Sequence, residues 1–147
     1  MYRTGYEILD GMGEKGQLST LAVLLGNAVY AQGRHDEAVD LTKVSSDEAS
    51  AEDFMSQMLW RALRAKVLSR RGAASEAESL GRDAVEVGRK TDSIDVQGNV
   101  IMDLSDVLRH VGRAEAAREA AEEAIRLYER KGNMVSTARA RAVLADL

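Results

Sequence analysis

Apolar residues return along this chain every three or four positions, in blocks separated by short glycine-containing breaks. Leu18, Leu21, Ala22, Leu25 and Val29 form one such stripe, and Val100, Ile101, Leu104, Val107, Leu108 and Val111 form another. Ala77, Leu80, Gly81, Ala84 and Val85 share their offsets with Ala117, Ala120, Ala121, Ala124 and Ile125, which continue to Tyr128. This is the period of a helix with one buried face. No stretch alternates with period two for long enough to make a strand. The pattern predicts helices at about 2–11, 17–32, 35–44, 51–70, 74–90, 94–111, 114–131 and 134–146, with 45–50 as the loosest segment.

The breaks repeat as well. Ala31-Gln32-Gly33-Arg34-His35-Asp36-Glu37-Ala38, Arg70-Arg71-Gly72-Ala73-Ala74-Ser75-Glu76-Ala77 and His110-Val111-Gly112-Arg113-Ala114-Glu115-Ala116-Ala117 align without gaps. Each glycine is placed to end a helix in the left-handed conformation that a Cβ disfavours. Each alanine five positions later is small enough to let the next helix cross closely. A period near 40 residues, seen three times, signals a solenoid.

The repeating unit resembles the tetratricopeptide repeat. Leu25-Gly26 stands at that family's Leu-Gly position, with Leu104-Ser105 and Leu144-Ala145 as softer equivalents. Ala38, Ala77 and Ala117 match its alanine, and Ala84 and Ala124 match the next small position. The unit departs from the family where Ala22 and Val29, or Arg61 and Leu68, replace the tryptophan and tyrosine. It also lacks the terminal proline and exceeds the usual length of about 34 residues. Long repeats of this kind are similar to the regulatory arrays of bacterial multidomain signalling proteins, such as the tails after nucleotide-cyclase or ATPase domains. The resemblance implies an all-α fold, a right-handed superhelical solenoid of antiparallel helix pairs. It divides one domain, 1–147, into the end of a preceding repeat (1–16), repeats at 17–50, 51–92 and 93–132, and the first helix of a further repeat (133–147). That makes about three full repeats with a half-repeat at each end.

Composition narrows the function. Hydrophobic residues are 45% and charged residues 30% of the chain, as in a folded, water-compatible domain. The absence of cysteine removes disulfides and thiolate metal sites, and fits a cytoplasmic setting. A net charge of −4 argues against direct nucleic-acid binding. No apolar run is long enough to span a membrane, and residues 1–7 lack the layout of a signal peptide.

Candidate chemistry is sparse. Gly11-Met12-Gly13-Glu14-Lys15-Gly16 spells a dinucleotide fingerprint, with Asp36 beyond it, but that motif works only between a strand and a helix of a parallel sheet. It reads here as a turn. His35 and His110 each stand alone beside a turn, short of the three or four ligands a metal needs, and read as solvated. The expectation is therefore no enzyme, no cofactor and no metal. The acid-rich stretch from Asp36 to Asp53 reads as a solvated face and loop, and Trp60 as packing between units.

The second unit is unusual. Its first helix, from Leu59 to Arg71, carries five basic residues and no acid. In the tetratricopeptide fold the first helices line a concave groove. Registered on the glycines, that groove would present Thr20, Leu24, Asn27 and Tyr30, then Ala62, Leu63, Lys66 and Arg70, then Asn99, Asp103, Asp106 and Arg109. Arg61 and Arg64 fall on positions that are normally apolar. In one reading they pair with neighbouring carboxylates, Asp103 foremost. In the other, Arg64, Lys66, Arg70 and Arg109 form a basic groove for an acidic protein or peptide segment, with Asn27 and Tyr30 orienting it. The expected binding residues are Asn27, Tyr30, Arg64, Lys66, Arg70, Asp103, Asp106 and Arg109. The rival expectation is self-association, the two terminal half-repeats completing each other head to tail between chains as a homo-oligomer.

Overall fold

The computed structural model describes residues 15–147, with side chains from Leu18 onward. Seven helices account for most of them: α1 (Lys15–Ala31), α2 (His35–Glu48), α3 (Phe54–Arg70), α4 (Ala74–Gly88), α5 (Ile94–His110), α6 (Ala114–Lys131) and α7 (Met134–Ala145). There is no strand among the described residues. The helix expected at 2–11 lies outside them. Of the glycine-rich segment, Lys15 and Gly16 open α1 and the rest lies outside.

Two kinds of joint alternate. After α1, α3 and α5 the chain turns through Gly33, Gly72 and Gly112, whose φ angles are 79°, 80° and 83°. At each, the following N–H closes back onto a carbonyl of the last turn: Arg34 on Val29 at 2.9 Å, Ala73 on Leu68 at 3.1 Å, Arg113 on Leu108 at 2.8 Å. Carbonyls that the helix end would leave unpaired are thereby satisfied. α3, α5 and α7 instead begin at side-chain caps. Asp53, Ser93 and Asn133 accept the N–H groups of Ser56, Val96 and Ser136 at 3.1, 3.3 and 3.0 Å. A fourth left-handed glycine, Gly132 at φ 80°, precedes the last of these caps.

Packing follows the same alternation. α1 packs mainly on α2, α3 on α4 and α5 on α6; each even helix also meets the next odd one, and α1–α3 and α3–α5 touch. No comparable packing joins α2 to α4 or α4 to α6. Small residues make the crossings possible. Ala38, Ala77 and Ala117 are completely buried. A Cβ on Gly26 would lie 2.8 Å from Leu63 Cδ2, and one on Gly98 would lie 2.6 Å from the Tyr128 ring.

The structure corrects the expected extent of α2. It runs to Glu48 rather than ending near residue 44, so 45–48 is not loose. Ser45 is fully buried, and its carbonyl accepts a bond of 3.0 Å from the hydroxyl of Ser19 on α1. Thr42 is also fully buried, so one side of the acid-rich stretch belongs to the interior. α3 begins at Phe54, later than expected, because Asp53 is its cap.

Candidate functional site

Three odd-numbered helices bring polar groups to one connected line. Tyr30 stands in the last turn of α1, and its hydroxyl accepts a hydrogen bond from Arg70 Nε on α3. Over the Tyr30 ring stand Lys66 Nζ at 5.2 Å and Arg70 Cζ at 5.6 Å from the centroid. Attraction of a cation to an aromatic face supports both placements. His35, just past the Gly33 turn, stacks on the same ring with centroids 5.1 Å apart and planes 23° from parallel.

Lys66 continues the line to α5, where Asp103 Oδ1 lies 3.4 Å from its Nζ. One turn further, Arg109 donates to Asp106 at 3.1 Å, and His110 Nδ1 lies 2.8 Å from the Asp106 carbonyl oxygen. Asn27 spends its amide within its own helix, donating to the Val23 carbonyl at 3.0 Å. The bond to Tyr30 holds the Arg70 guanidinium above its usual range. Burial pushes the Asp103 carboxyl up, with Lys66 opposing the shift. Neither histidine is a freely solvated turn residue, as both were expected to be.

Two further expectations change. Asp103 pairs with Lys66, not with Arg61 or Arg64. Arg61 donates instead to the Gln57 backbone carbonyl at 2.8 Å and to its side-chain oxygen at 2.6 Å, and Arg64 donates to Thr42 on α2 at 3.1 Å. Both guanidinium groups lie over Trp60, at 4.3 and 4.6 Å from the ring centroid. Helical spacing explains the separation, since positions 61 and 64 share a face that 66 and 70 do not. Arg64 is thus not part of the line around Tyr30. Leu63 is buried in the core rather than lining a groove, whereas Ala62, though buried, lines a cavity of about 150 Å³ with Asn99 and Asp103. Trp60 packs, half-buried, against the cluster shared by α1, α2 and α3.

Tyr30–Arg70 and Lys66–Asp103 join residues 40 and 37 positions apart, close to the repeat period. The period itself could therefore have pointed to these pairs. Nothing in the sequence pointed to Thr42 or Gln57 as neutral partners of the arginines. Among the described residues no group of three or more His, Asp or Glu side chains converges as a metal site would need.

Residues 99–131 match the family model described as Tetratricopeptide repeat. That match and the seven described helices are consistent with a tetratricopeptide-type repeat protein. The matched stretch covers most of α5, the Gly112 turn and α6. Tetratricopeptide repeats generally mediate contacts between proteins, and the family is typically non-catalytic. No match to a curated protein was found for the chain. No described helix is long and apolar enough to cross a membrane.

Proposed function

We propose that this tetratricopeptide-type chain is a non-catalytic module that holds an acidic segment of a protein or peptide. The segment would lie along a concave face formed by α1, α3 and α5, in a right-handed superhelix of about three antiparallel helix pairs. Asn27, Tyr30, Lys66, Arg70, Asp103, Asp106 and Arg109 would meet it, and Arg64 would not. The observation that carries this reading is the placing of both Lys66 and Arg70 over the Tyr30 ring. Two cations beside an aromatic ring suit a carboxylate side chain followed by an apolar one. A cytoplasmic bacterial regulatory protein is the setting we favour, because the repeat length is that of such arrays.

Fluorescence anisotropy tests it with a labelled glutamate-rich octapeptide and its glutamine counterpart. The acidic peptide should bind more tightly, lose affinity with added salt, and lose at least tenfold on Lys66→Glu with Arg70→Glu. Equal binding of the two peptides, or full affinity in the folded double variant, would sink the reading.

Self-association is the second reading, favoured by α7. Met134 and Val135 are 82% and 63% exposed there. Ala138 and Ala145, at the offsets of Gly98 and Ser105, are also exposed, whereas those two are buried under α6. A second copy could cover this face. Residues 1–14, the other half of the head-to-tail contact, lie outside the described residues. Light scattering over a concentration series decides, and a strict monomer at high concentration would rule this reading out.

A further inference from the structure

Because the even helices stand apart, each odd helix between two of them becomes the floor of a cleft. Between α4 and α6 that floor is Ile101, Leu104 and Leu108 of α5, beneath a cavity of about 500 Å³. Aligning Gly72 with Gly112 puts Arg61, Arg64 and Leu68 of α3 at the same offsets, and aligning Gly33 gives Ala22, Leu25 and Val29 of α1. These positions are apolar on α1 and α5. The α3 floor carries two cations, and this is the side opposite Lys66 and Tyr30.

Arg61 and Arg64 are half-buried, yet no described carboxylate lies within 4.0 Å of either. Their contacts are the Trp60 ring and neutral oxygens of Gln57 and Thr42. Burial pulls both guanidinium groups below their usual range; Asp83 opposes this for Arg61, and Asp47 and Glu76 for Arg64, without contact. A charge taken partly out of water with no counter-ion in contact is costly, and an anion from solution would relieve that cost.

A cavity of about 240 Å³ opens beside Arg61, lined also by Ala51, Phe54, Gln57, Val87 and Lys90. Lys90 Nζ stands 5.5 Å from the centre of the Phe54 ring. Two cations and one amide face this space, and none of its lining residues is acidic. Its other walls are apolar. We propose that this cavity binds a single carboxylate on a short branched aliphatic body. The carboxylate lies between Arg61 and Lys90, and the body rests on Phe54, Val87 and Ala51.

The charge count favours a carboxylate over a phosphate. Asp83 acts on Arg61, and Glu52 and Asp53 stand in the chain between lining residues Ala51 and Phe54. With Asp83 offsetting part of the charge of Arg61, the two cations leave about one net positive charge, which a monoanion balances and a dianion exceeds. The same chemistry occurs in a free branched-chain acid and at the carboxyl terminus of a peptide ending in leucine.

Trp60 is the only tryptophan of the chain and touches Arg61, so its emission responds to changes at that guanidinium, and the Val87 amide reports from the cavity wall itself. Isovalerate should change Trp60 emission saturably and shift the Val87 amide in a 15N–1H spectrum. Isopentanol, of the same shape without charge, and inorganic phosphate should not saturate either signal. N-acetyl-leucine separates the two sources: tighter binding than isovalerate assigns the site to a chain terminus, weaker binding to a free acid. Arg61→Ile installs the residue that α5 carries at this offset, and Lys90→Met removes the second cation. Each should weaken isovalerate at least tenfold on the Val87 signal while circular dichroism keeps its helical form. The proposal is overturned if isopentanol or phosphate binds as tightly as isovalerate, if isovalerate gives no saturable change, or if both folded variants keep parental affinity. Lys66 and Arg70 are untouched throughout, so the outcome is independent of the peptide groove.

Discussion

Lys66 of α3 reaches Asp103 of α5 with Nζ 3.4 Å from Oδ1, and it does so while facing the Tyr30 ring of α1. One side chain therefore links three helices that are far apart in sequence. The lysine side chain keeps 17% and the aspartate 34% of their accessible surface. The pair is shielded but still in touch with water, so its strength is modest and its titration measurable.

The sign of that titration follows from burial. The Asp103 carboxyl is raised above its ordinary 3.8 in the folded chain, burial outweighing Lys66. The folded state then keeps a proton that the unfolded state has already lost. Its contribution to stability is fully present below pH 3.8 and disappears as pH rises through the raised folded value. Asp103→Asn removes this dependence. The stability of the variant minus that of the parent, from urea denaturation, should rise with pH from 3.8 upward and then level off. A difference that falls over this window would contradict the assignment.

Tyr128 gives a second titration at the alkaline end. Burial, helped by Asp103 and Asp95, pushes its hydroxyl up to about 12, and it donates to Asn99 at 2.6 Å. Its neutral form is favoured in the folded state. Stability from this group is complete below its ordinary 10.0 and is lost as pH rises toward about 12. Absorbance at the phenolate band should show one late-titrating tyrosine, absent in Tyr128→Phe.

Gly98 crosses the Tyr128 ring so closely that an added Cβ would lie 2.6 Å from Cε1. The ring or the helix backbone must shift to admit a methyl group. Gly98→Ala should cost about 1–3 kcal/mol in urea denaturation, a typical penalty for overpacking. In a Tyr128→Leu background most of that cost should vanish, because residues in contact couple. Equal costs in both backgrounds would place the strain elsewhere.

Arg64 sits where α5 has Leu104 and α1 has Leu25. Its half-buried charge gains one bond to Thr42 and a face of Trp60 in place of apolar contact. Arg64→Leu should leave the protein at least as stable, by up to about 1 kcal/mol, since replacing a buried charge with a fitting apolar group is commonly neutral or favourable. A loss above about 2 kcal/mol would show that the arginine is needed by the fold.

Much of this architecture could be read from local signals. Gly33, Gly72 and Gly112 turn where the repeat predicted turns, and Ala38, Ala77 and Ala117 are buried as predicted. The end of α2 was misread because Ser45-Ser46-Asp47-Glu48 is polar, and polarity alone suggests a loop. Ser19 reverses that reading by bonding Ser45 from another helix. The partner of Asp103 was misassigned for a similar reason. Arg61, Arg64 and Lys66 lie within two turns, and which of them faces α5 depends on how α3 is rotated against its neighbours.

The sequence by itself determined the number and order of the described helices, the places where the chain reverses and the small residues at crossings. Those are local properties: a left-handed φ needs glycine, a buried face needs a stripe of helical period, and a close crossing needs alanine or glycine. Only the tertiary structure decided that Lys66, rather than Arg64, meets Tyr30 and Asp103, and that Arg61 faces an apolar-walled cavity on the other side. Those choices belong to the rotation of whole helices. Contacts such as Gly26 with Leu63 and Gly98 with Tyr128 hold that rotation, and each joins residues on different helices far apart in the chain.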